Sequence, residues 1–229
     1  MTSPLIIALD LEPKEAINFV KELNPEDCKV KVGNQLFTSG GPKIIESLKH
    51  LGFDVFLDLK FHDIPNTVSR AVKNSIGLGI WMLNVHAQGG REMLLAARES
   101  LDKFSTDKKP LLIGVTLLTS LNELYIEEMG FSYSLEEQVL NLARLCKDTG
   151  LDGVVCSPRE LSLLREKLGE EFLLITPGIR SSEDFNEDQK RTTTMLEALS
   201  DGANYLVIGR EVTLSSHPSE KVKQILETI

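Results

Sequence analysis

Short apolar runs alternate with longer segments of helical periodicity along the chain. The first run, Leu5–Asp10, is followed by Lys14–Leu23, in which apolar residues recur on one helical face. This order predicts a β-strand followed by a helix. Seven further apolar runs, each followed by a helical or polar segment, predict strands at Lys29–Gly33, Asp54–Lys60, Met82–His86, Leu111–Leu117, Gly153–Ser157, Phe172–Thr176 and Tyr205–Gly209.

The predicted strands are apolar almost throughout, which is typical of a parallel sheet covered by helices. Eight regular β/α units predict an α/β fold of the (β/α)8 TIM-barrel type, with residues 1–229 forming a single domain. An open, doubly wound sheet would begin with a similar pattern. No GxGxxG motif follows the first strand, so the closed barrel is the favoured fold.

Two segments depart from the regular alternation. Pro177–Lys190 follows the seventh strand and is rich in Ser, Asp, Glu and Asn. A loop of this length at the C-terminal face of a barrel predicts a mobile lid. Ser120–Ser134 contains an amphipathic stretch around Leu121–Met129, which predicts a short additional helix without assigned chemistry.

The net charge and the cysteine content indicate which partners and which cellular compartment to expect. The formal net charge of −9 argues against a general nucleic-acid or anionic-membrane partner, since both require a basic surface. Cys28, Cys146 and Cys156 form no CxxC pair, which fits a reducing compartment. The N-terminus lacks the features of a signal peptide, and no run approaches about 18 apolar residues. We therefore expect a soluble cytoplasmic protein.

The densest cluster of charge lies where the third predicted strand ends, in the segment DLKFHDIPNT from Asp58 to Thr67. Residues two apart on a strand point to the same side, so Asp58 and Lys60 should project together into the barrel mouth. Asp63 lies in the following loop and could reach the same cleft or a neighbouring subunit. A solvated ion-pair ladder is the alternative, but catalytic groups collect at the C-terminal ends of barrel strands.

Two earlier strands contribute charge of the same kind. Asp10 closes the first predicted strand, and Lys29 and Lys31 share one face of the second. Four strand-end groups could therefore converge in the barrel mouth. The spacing alone does not decide whether Lys29 or Lys31 enters it.

Glycine and arginine occur close together after the seventh and eighth predicted strands, as PGIR ending at Arg180 and as Gly209-Arg210. Loops at these positions commonly form a phosphate site, because glycine lets backbone N–H groups approach and arginine supplies a charged fork. Either motif alone would fit a tight turn beside a surface charge. Together they favour phosphate binding.

Histidine spacing gives no support for a metal site. His50 and His217 lie in polar connecting segments, whereas His62 and His86 lie near strand ends, and no HExxH motif is present. No metal ion is therefore predicted.

The assembled motifs resemble the orotidine 5′-phosphate decarboxylase family over nearly the whole chain. Asp58–Thr67 looks like that family's DxKxxDIPNT segment residue for residue. Supporting blocks occur in the family's order: IALD ending at Asp10, KVG beginning at Lys31, LTS around Thr119, PGIR ending at Arg180, DQKR containing Gln189, and VIGR ending at Arg210. The sequence departs from the usual pattern at Asn34-Gln35 and at Thr192–Thr194, where Thr-Pro is common.

The resemblance implies decarboxylation of orotidine 5′-monophosphate without metal or organic cofactor. It implies that Lys60 protonates C6 as CO₂ leaves, and that Lys31, Asp58 and Asp63 complete an alternating charge network. It also implies a homodimer in which Asp63 and Thr67 reach the partner's site. The implied substrate contacts are Asp10 and Lys31 to the ribose, Thr119 to the pyrimidine, and Gln189, Gly209 and Arg210 to the phosphate, assisted by Arg180.

Two other functions remain open on the sequence. Related barrels that act on a hexulose or keto-gulonate phosphate also resemble DxKxxD but use magnesium, which Asp58 and Asp63 could ligate. The IPNT and DQKR segments argue against this activity. A non-catalytic phosphate-ligand binder is the second alternative, and the intact Lys60 argues against it.

Overall fold

The computed structural model describes residues 3–105, 108–179 and 193–229. Eight parallel strands form a closed barrel in which each strand pairs with the next and the last pairs with the first. The strands are β1 (Leu5–Ala8), β2 (Lys29–Gly33), β3 (Val55–Phe61), β4 (Met82–His86), β5 (Leu111–Val115), β6 (Gly153–Val155), β7 (Leu173–Pro177) and β8 (Tyr205–Ile208). The predicted (β/α)8 barrel is confirmed.

Helices cover the outside of the barrel. In the described residues they are α1 (Pro13–Val20), α2 (Asn34–Gly40), α3 (Pro42–His50), α4 (Pro65–Ile76), α5 (Gly90–Asp102), α6 (Glu123–Glu128), α7 (Leu135–Asp148), α8 (Leu161–Leu168), α9 (Met195–Ser200), α10 (Arg210–Thr213) and α11 (Pro218–Thr228). Proline opens α1, α3, α4 and α11, where its missing N–H costs no helical hydrogen bond. Ser134 and Glu137 form a capping box that starts α7.

Side chains fill the barrel interior. The buried interior cluster contains Ile6, Ala8, Phe56, Met82, Ile113, Ile175 and Val207. Below it, the Lys29 ammonium lies 5.1 Å from the ring centroid of Trp81 and 5.4 Å from that of Tyr205. It also donates a 2.9 Å hydrogen bond to the carbonyl oxygen of Ser3. Lys29 therefore closes the N-terminal end of the barrel, and Lys31 is the lysine of β2 that faces the opposite end.

The third strand is irregular at the point where its charged residues lie. Leu57 pairs with Leu83 and Phe61 pairs with Val85. The register therefore shifts, because four residues along β3 correspond to only two along β4. Lys60 has a φ of 52°, and it is the one non-glycine residue with positive φ in the described part of the chain. This left-handed residue accommodates the bulge. The bulge places the Lys60 backbone outside the regular ladder.

The two predicted insertions have different outcomes. The short helix expected around Leu121–Met129 is confirmed as α6. The predicted lid, Pro177–Lys190, lies outside the described residues after Ile179. Within the described ranges, none of the helices has the length and apolar content needed to cross a bilayer.

Candidate active site

The Asp58 carboxylate lies between two lysine ammonium groups at the C-terminal mouth of the barrel. Its Oδ1 is 2.7 Å from Lys60 Nζ, and its Oδ2 is 3.2 Å from Lys31 Nζ. Lys31 Nζ is in turn 3.7 Å from Asp10 Oδ1. The structure therefore brings together four of the predicted residues, contributed by β2, β3 and the segment that follows β1. Their charges alternate in the order Asp10, Lys31, Asp58, Lys60.

The charge network keeps Asp58 ionised although its residue exposure is only 8%. Burial by itself raises the pKa of Asp58, but the positive charges of Lys31 and Lys60 and the hydrogen bonds from Lys60 and Asn84 outweigh burial. The pKa therefore lies below the ordinary value of an aspartate. At neutral pH the site presents a fixed carboxylate beside a partly exposed ammonium.

Asn84 of β4 belongs to the same network, although none of the sequence motifs contains it. The residue is completely buried, and its Nδ2 donates a 2.6 Å hydrogen bond to Asp58 Oδ1. Its Oδ1 accepts a 2.8 Å hydrogen bond from the backbone N–H of Lys60. The available sequence signal was a single polar residue two positions after Met82, on the inward side of an apolar strand.

Gly33, at the end of β2, leaves the space that the Lys31 ammonium occupies. A Cβ atom at this position would lie 3.1 Å from Lys31 Nζ and 3.7 Å from Asp10 Oδ1. Gly33 also pairs with Asp58 across the sheet. A larger residue here would push Lys31 away from the carboxylate.

Asp63 and Thr67 do not join this network within one chain. Both residues are exposed, and Asp63 Oδ1 accepts a 2.6 Å hydrogen bond from the backbone N–H of Ile64. Ile64 itself is 67% exposed on the same turn. The turn that carries Asp63 and Ile64 is therefore exposed on the protomer surface, as is Thr67 in the first turn of α4.

Two histidines stack beside Lys60. The rings of His62 and His86 are 5.1 Å apart with an interplanar angle of 22°. Burial, followed by the proximity of His62 and Lys60, lowers the pKa of His86 below that of a free histidine. His86 is therefore neutral at physiological pH and adds no charge to the lysine pair.

Three of the predicted substrate-contact residues follow the C-terminal ends of barrel strands. Thr119 is exposed in the segment after β5. Gly209 precedes α10 at the end of β8, and Arg210, the first residue of that helix, is exposed. Arg180 and Gln189 lie outside the described residues. In the ranges that the structure covers, no group of three or more His, Cys, Asp or Glu side chains has the arrangement of a metal site.

Comparison with known proteins agrees with the sequence motifs. The Orotidine 5′-phosphate decarboxylase / HUMPS family profile matches residues 3–225. Curated relatives named orotidine 5′-phosphate decarboxylase include one from Tolumonas auensis, 51% identical with 98% of each chain covered, and one from Nitrosomonas eutropha, 52% identical with 99% and 97% covered. A crystal structure of orotidine 5′-phosphate decarboxylase from Lactobacillus acidophilus has a TM-score of 0.88 and 38% identity, with 98% of each chain covered.

The predicted resemblance is thus confirmed over almost the entire chain, including the segment that carries Asp58 and Lys60. The chain belongs to the orotidine 5′-phosphate decarboxylase / HUMPS family.

Proposed function

We propose that this protein decarboxylates orotidine 5′-monophosphate to uridine 5′-monophosphate and CO₂, the last step of de novo UMP biosynthesis. Family membership and relatives named for this enzyme at about 50% identity support the activity. The observation that carries the mechanism is the Lys60 ammonium, 2.7 Å from an ionised Asp58 at the barrel mouth.

Lys60 is the proposed proton donor. The bond between C6 and the carboxylate carbon breaks, CO₂ leaves, and the electron pair remains on C6. A nearby ammonium stabilises this charge, which the pyrimidine ring delocalises poorly. Lys60 then transfers a proton to C6, and its 31% exposed side chain can recover a proton from solvent.

Asp58 and Lys31 complete the proposed catalytic group. Asp58 holds both ammonium groups in place through its two oxygens. A fixed carboxylate beside the substrate carboxylate would also raise the energy of the bound ground state. Lys31 and Asp10 would hold ribose hydroxyls, a role supported by the 3.7 Å distance between Lys31 Nζ and Asp10 Oδ1 at the barrel mouth.

The remaining contacts follow the family resemblance. Thr119 would contact the pyrimidine, and Gly209, Arg210, Gln189 and Arg180 would bind the phosphate. Binding energy from the remote phosphate would favour closure of Pro177–Lys190 over the ring and exclusion of water.

The chemistry proposed for this site requires no metal ion or organic cofactor. Both oxygens of Asp58 already lie against Lys31, Lys60 and Asn84. A Mg²⁺ ion would have to displace two ammonium groups to use this carboxylate. The arrangement therefore favours decarboxylation over a magnesium-dependent reaction on a sugar phosphate.

The proposed active form is a homodimer in the cytoplasm, with Asp63 and Thr67 reaching the partner's site. The exposure of Asp63 and Ile64 before α4, and of Thr67 in its first turn, supports this role, because these side chains are accessible to a second copy of the chain. The three buried, unpaired cysteines fit a reducing compartment.

The activity is tested by mixing purified protein with orotidine 5′-monophosphate and excess EDTA, and following the loss of ultraviolet absorbance as the uridine product forms. Rapid loss is expected. Absence of turnover, together with magnesium-dependent activity on a hexulose or keto-gulonate phosphate, would overturn the proposal.

Subunit complementation tests the shared site. The Lys60→Ala and Asp63→Ala variants are each expected to be inactive alone. The two proteins are mixed and allowed to exchange subunits. A hybrid dimer has one site with both residues intact, so random exchange should restore about a quarter of wild-type activity. No recovery, with hybrids verified by native mass spectrometry, would place Asp63 in the site of its own chain.

A further inference from the structure

The side-chain amide of Asn84 is fully buried. It is 0% exposed on β4, between the buried residues Leu83 and Val85. An amide in such surroundings is costly unless its donor and acceptor are both hydrogen-bonded. Both are used here, and both partners belong to the proposed catalytic segment of β3.

The acceptor of Asn84 compensates for the irregularity of β3. Asn84 lies within the short stretch of β4 that faces the bulge between Leu57 and Phe61. The Lys60 N–H, displaced from the ladder by the left-handed backbone, donates instead to Asn84 Oδ1 at 2.8 Å. Left-handed backbone is unfavourable for a residue with a Cβ, so it persists only where its surroundings hold it.

The donor of Asn84 fixes the orientation of the carboxylate. Asn84 Nδ2 and Lys60 Nζ both bond to Asp58 Oδ1, at 2.6 and 2.7 Å. Oδ2 is thereby left to Lys31. A rotation of the Asp58 carboxylate would break these contacts together, which gives the carboxylate a single orientation.

We propose that Asn84 is a positioning residue for the decarboxylation. It sets the Lys60 backbone through its Oδ1 and the Asp58 carboxylate through its Nδ2, and thereby places the Lys60 ammonium at C6. Asn84 acts through these two residues and does not itself contact substrate. The inference rests on the proposed function.

The first test compares Asn84→Ala with Asn204→Ala. Asn204 Oδ1 likewise accepts from a backbone N–H of a neighbouring strand, that of Leu174 at 2.8 Å, but at the opposite end of the barrel. Asn84→Ala should lower kcat about 100-fold, the effect of a small misplacement of a reacting group. KM should change less than about threefold, and Asn204→Ala should retain wild-type kcat at a temperature where circular dichroism shows all three proteins folded.

The second test uses Asn84→Asp, which keeps the acceptor but replaces the donor with a carboxyl oxygen next to Asp58 Oδ1. Two adjacent carboxyls share a proton at low pH and repel each other when both are ionised. The ratio of the variant's kcat to that of the wild type should therefore rise at least about tenfold from pH 8 to pH 5. The titratable groups around this position are Asp10, Lys31, Asp58, Lys60, His62 and His86. They are present in both proteins, so the ratio isolates the new carboxyl.

The results distinguish failure of the proposed function from failure of the role assigned to Asn84. Turnover by the wild type, with Asn84→Ala as active as Asn204→Ala, would overturn the role of Asn84 alone. A pH-independent ratio for Asn84→Asp would overturn the donor part of that role. Absence of turnover by the unaltered protein would overturn the proposed function, and the role of Asn84 with it.

Discussion

Replacing Lys60 with alanine removes the ammonium from the site and leaves most of the surrounding network in place. Asp58 keeps the contact with Lys31 at 3.2 Å and the hydrogen bond from Asn84 at 2.6 Å. The Lys60 N–H can still donate to Asn84, since that bond uses the backbone. The variant therefore tests the side chain without removing the support of the bulge.

The expected loss combines two effects of the ammonium. At an effective dielectric of about 20, unit charges about 4 Å apart attract by about 4 kcal/mol, which corresponds to about a thousandfold in rate. Loss of a positioned general acid costs a further factor of about 100 to 10,000. Together these effects predict that kcat falls by at least about 10⁵-fold.

Turnover is measured from the loss of ultraviolet absorbance in the presence of EDTA. Nucleotide binding is measured by isothermal titration calorimetry with uridine 5′-monophosphate. Nucleotide affinity should persist in Lys60→Ala, because the proposed ribose and phosphate contacts come from other residues. Lys103→Ala is the matched control: its side chain is 77% exposed, and its ammonium pairs with Glu99 on α5. Equal turnover by wild type and Lys60→Ala would refute the assigned role.

Three further predictions concern stability and reactivity. The folded pKa of Asp58 is lowered, so its contribution to stability is complete above the ordinary aspartate pKa and is lost as pH falls through the folded value. Urea unfolding between about pH 6 and pH 2 should therefore show a steeper acid loss for wild type than for Asp58→Asn, and equal slopes would contradict this linkage. Arg165→Ala should lower the free energy of unfolding by about 3 kcal/mol, because the guanidinium donates to Asn204 and to the Phe172 carbonyl oxygen at the base of the barrel. Its kcat should be unchanged at 25 °C, and a loss below about 1 kcal/mol would show that the base is supported elsewhere. Burial raises the pKa of each of the three cysteine thiols to about 12, so iodoacetamide at pH 8 should label the protein in urea but not the native protein, as measured by intact mass.

The strand centres were predictable from the sequence, but several strand ends were not. Lys29–Gly33 and Met82–His86 match β2 and β4 residue for residue. The first strand was expected to reach Asp10, whereas β1 ends at Ala8. Strands in a barrel end where their backbone leaves the ladder, and an apolar run followed by a charged residue does not mark that point.

The sequence predicted which side chains share a face of one strand, but not their position along the barrel axis or their contacts with a neighbouring strand. The alternation of side chains placed Asp58 and Lys60 together, as the structure confirms. The same alternation could not separate Lys29 from Lys31, since residues two apart share a face while lying about 6.6 Å apart along the strand. Asn84 was missed because its role depends on a bulge in the neighbouring strand. The partner contacts of Asp63 and Thr67 remain predictions.

The side chains that fill the barrel interior also determine how molecules can enter and leave. Phe56 and Met82 lie beneath the charge network, and Lys29 packs on Trp81 and Tyr205 below them. Packed side chains thus close the bottom of the site, so nucleotide and CO₂ enter and leave through the same mouth of the barrel. Exchange at that mouth, and not passage through the barrel, would then limit how soon the next substrate can bind.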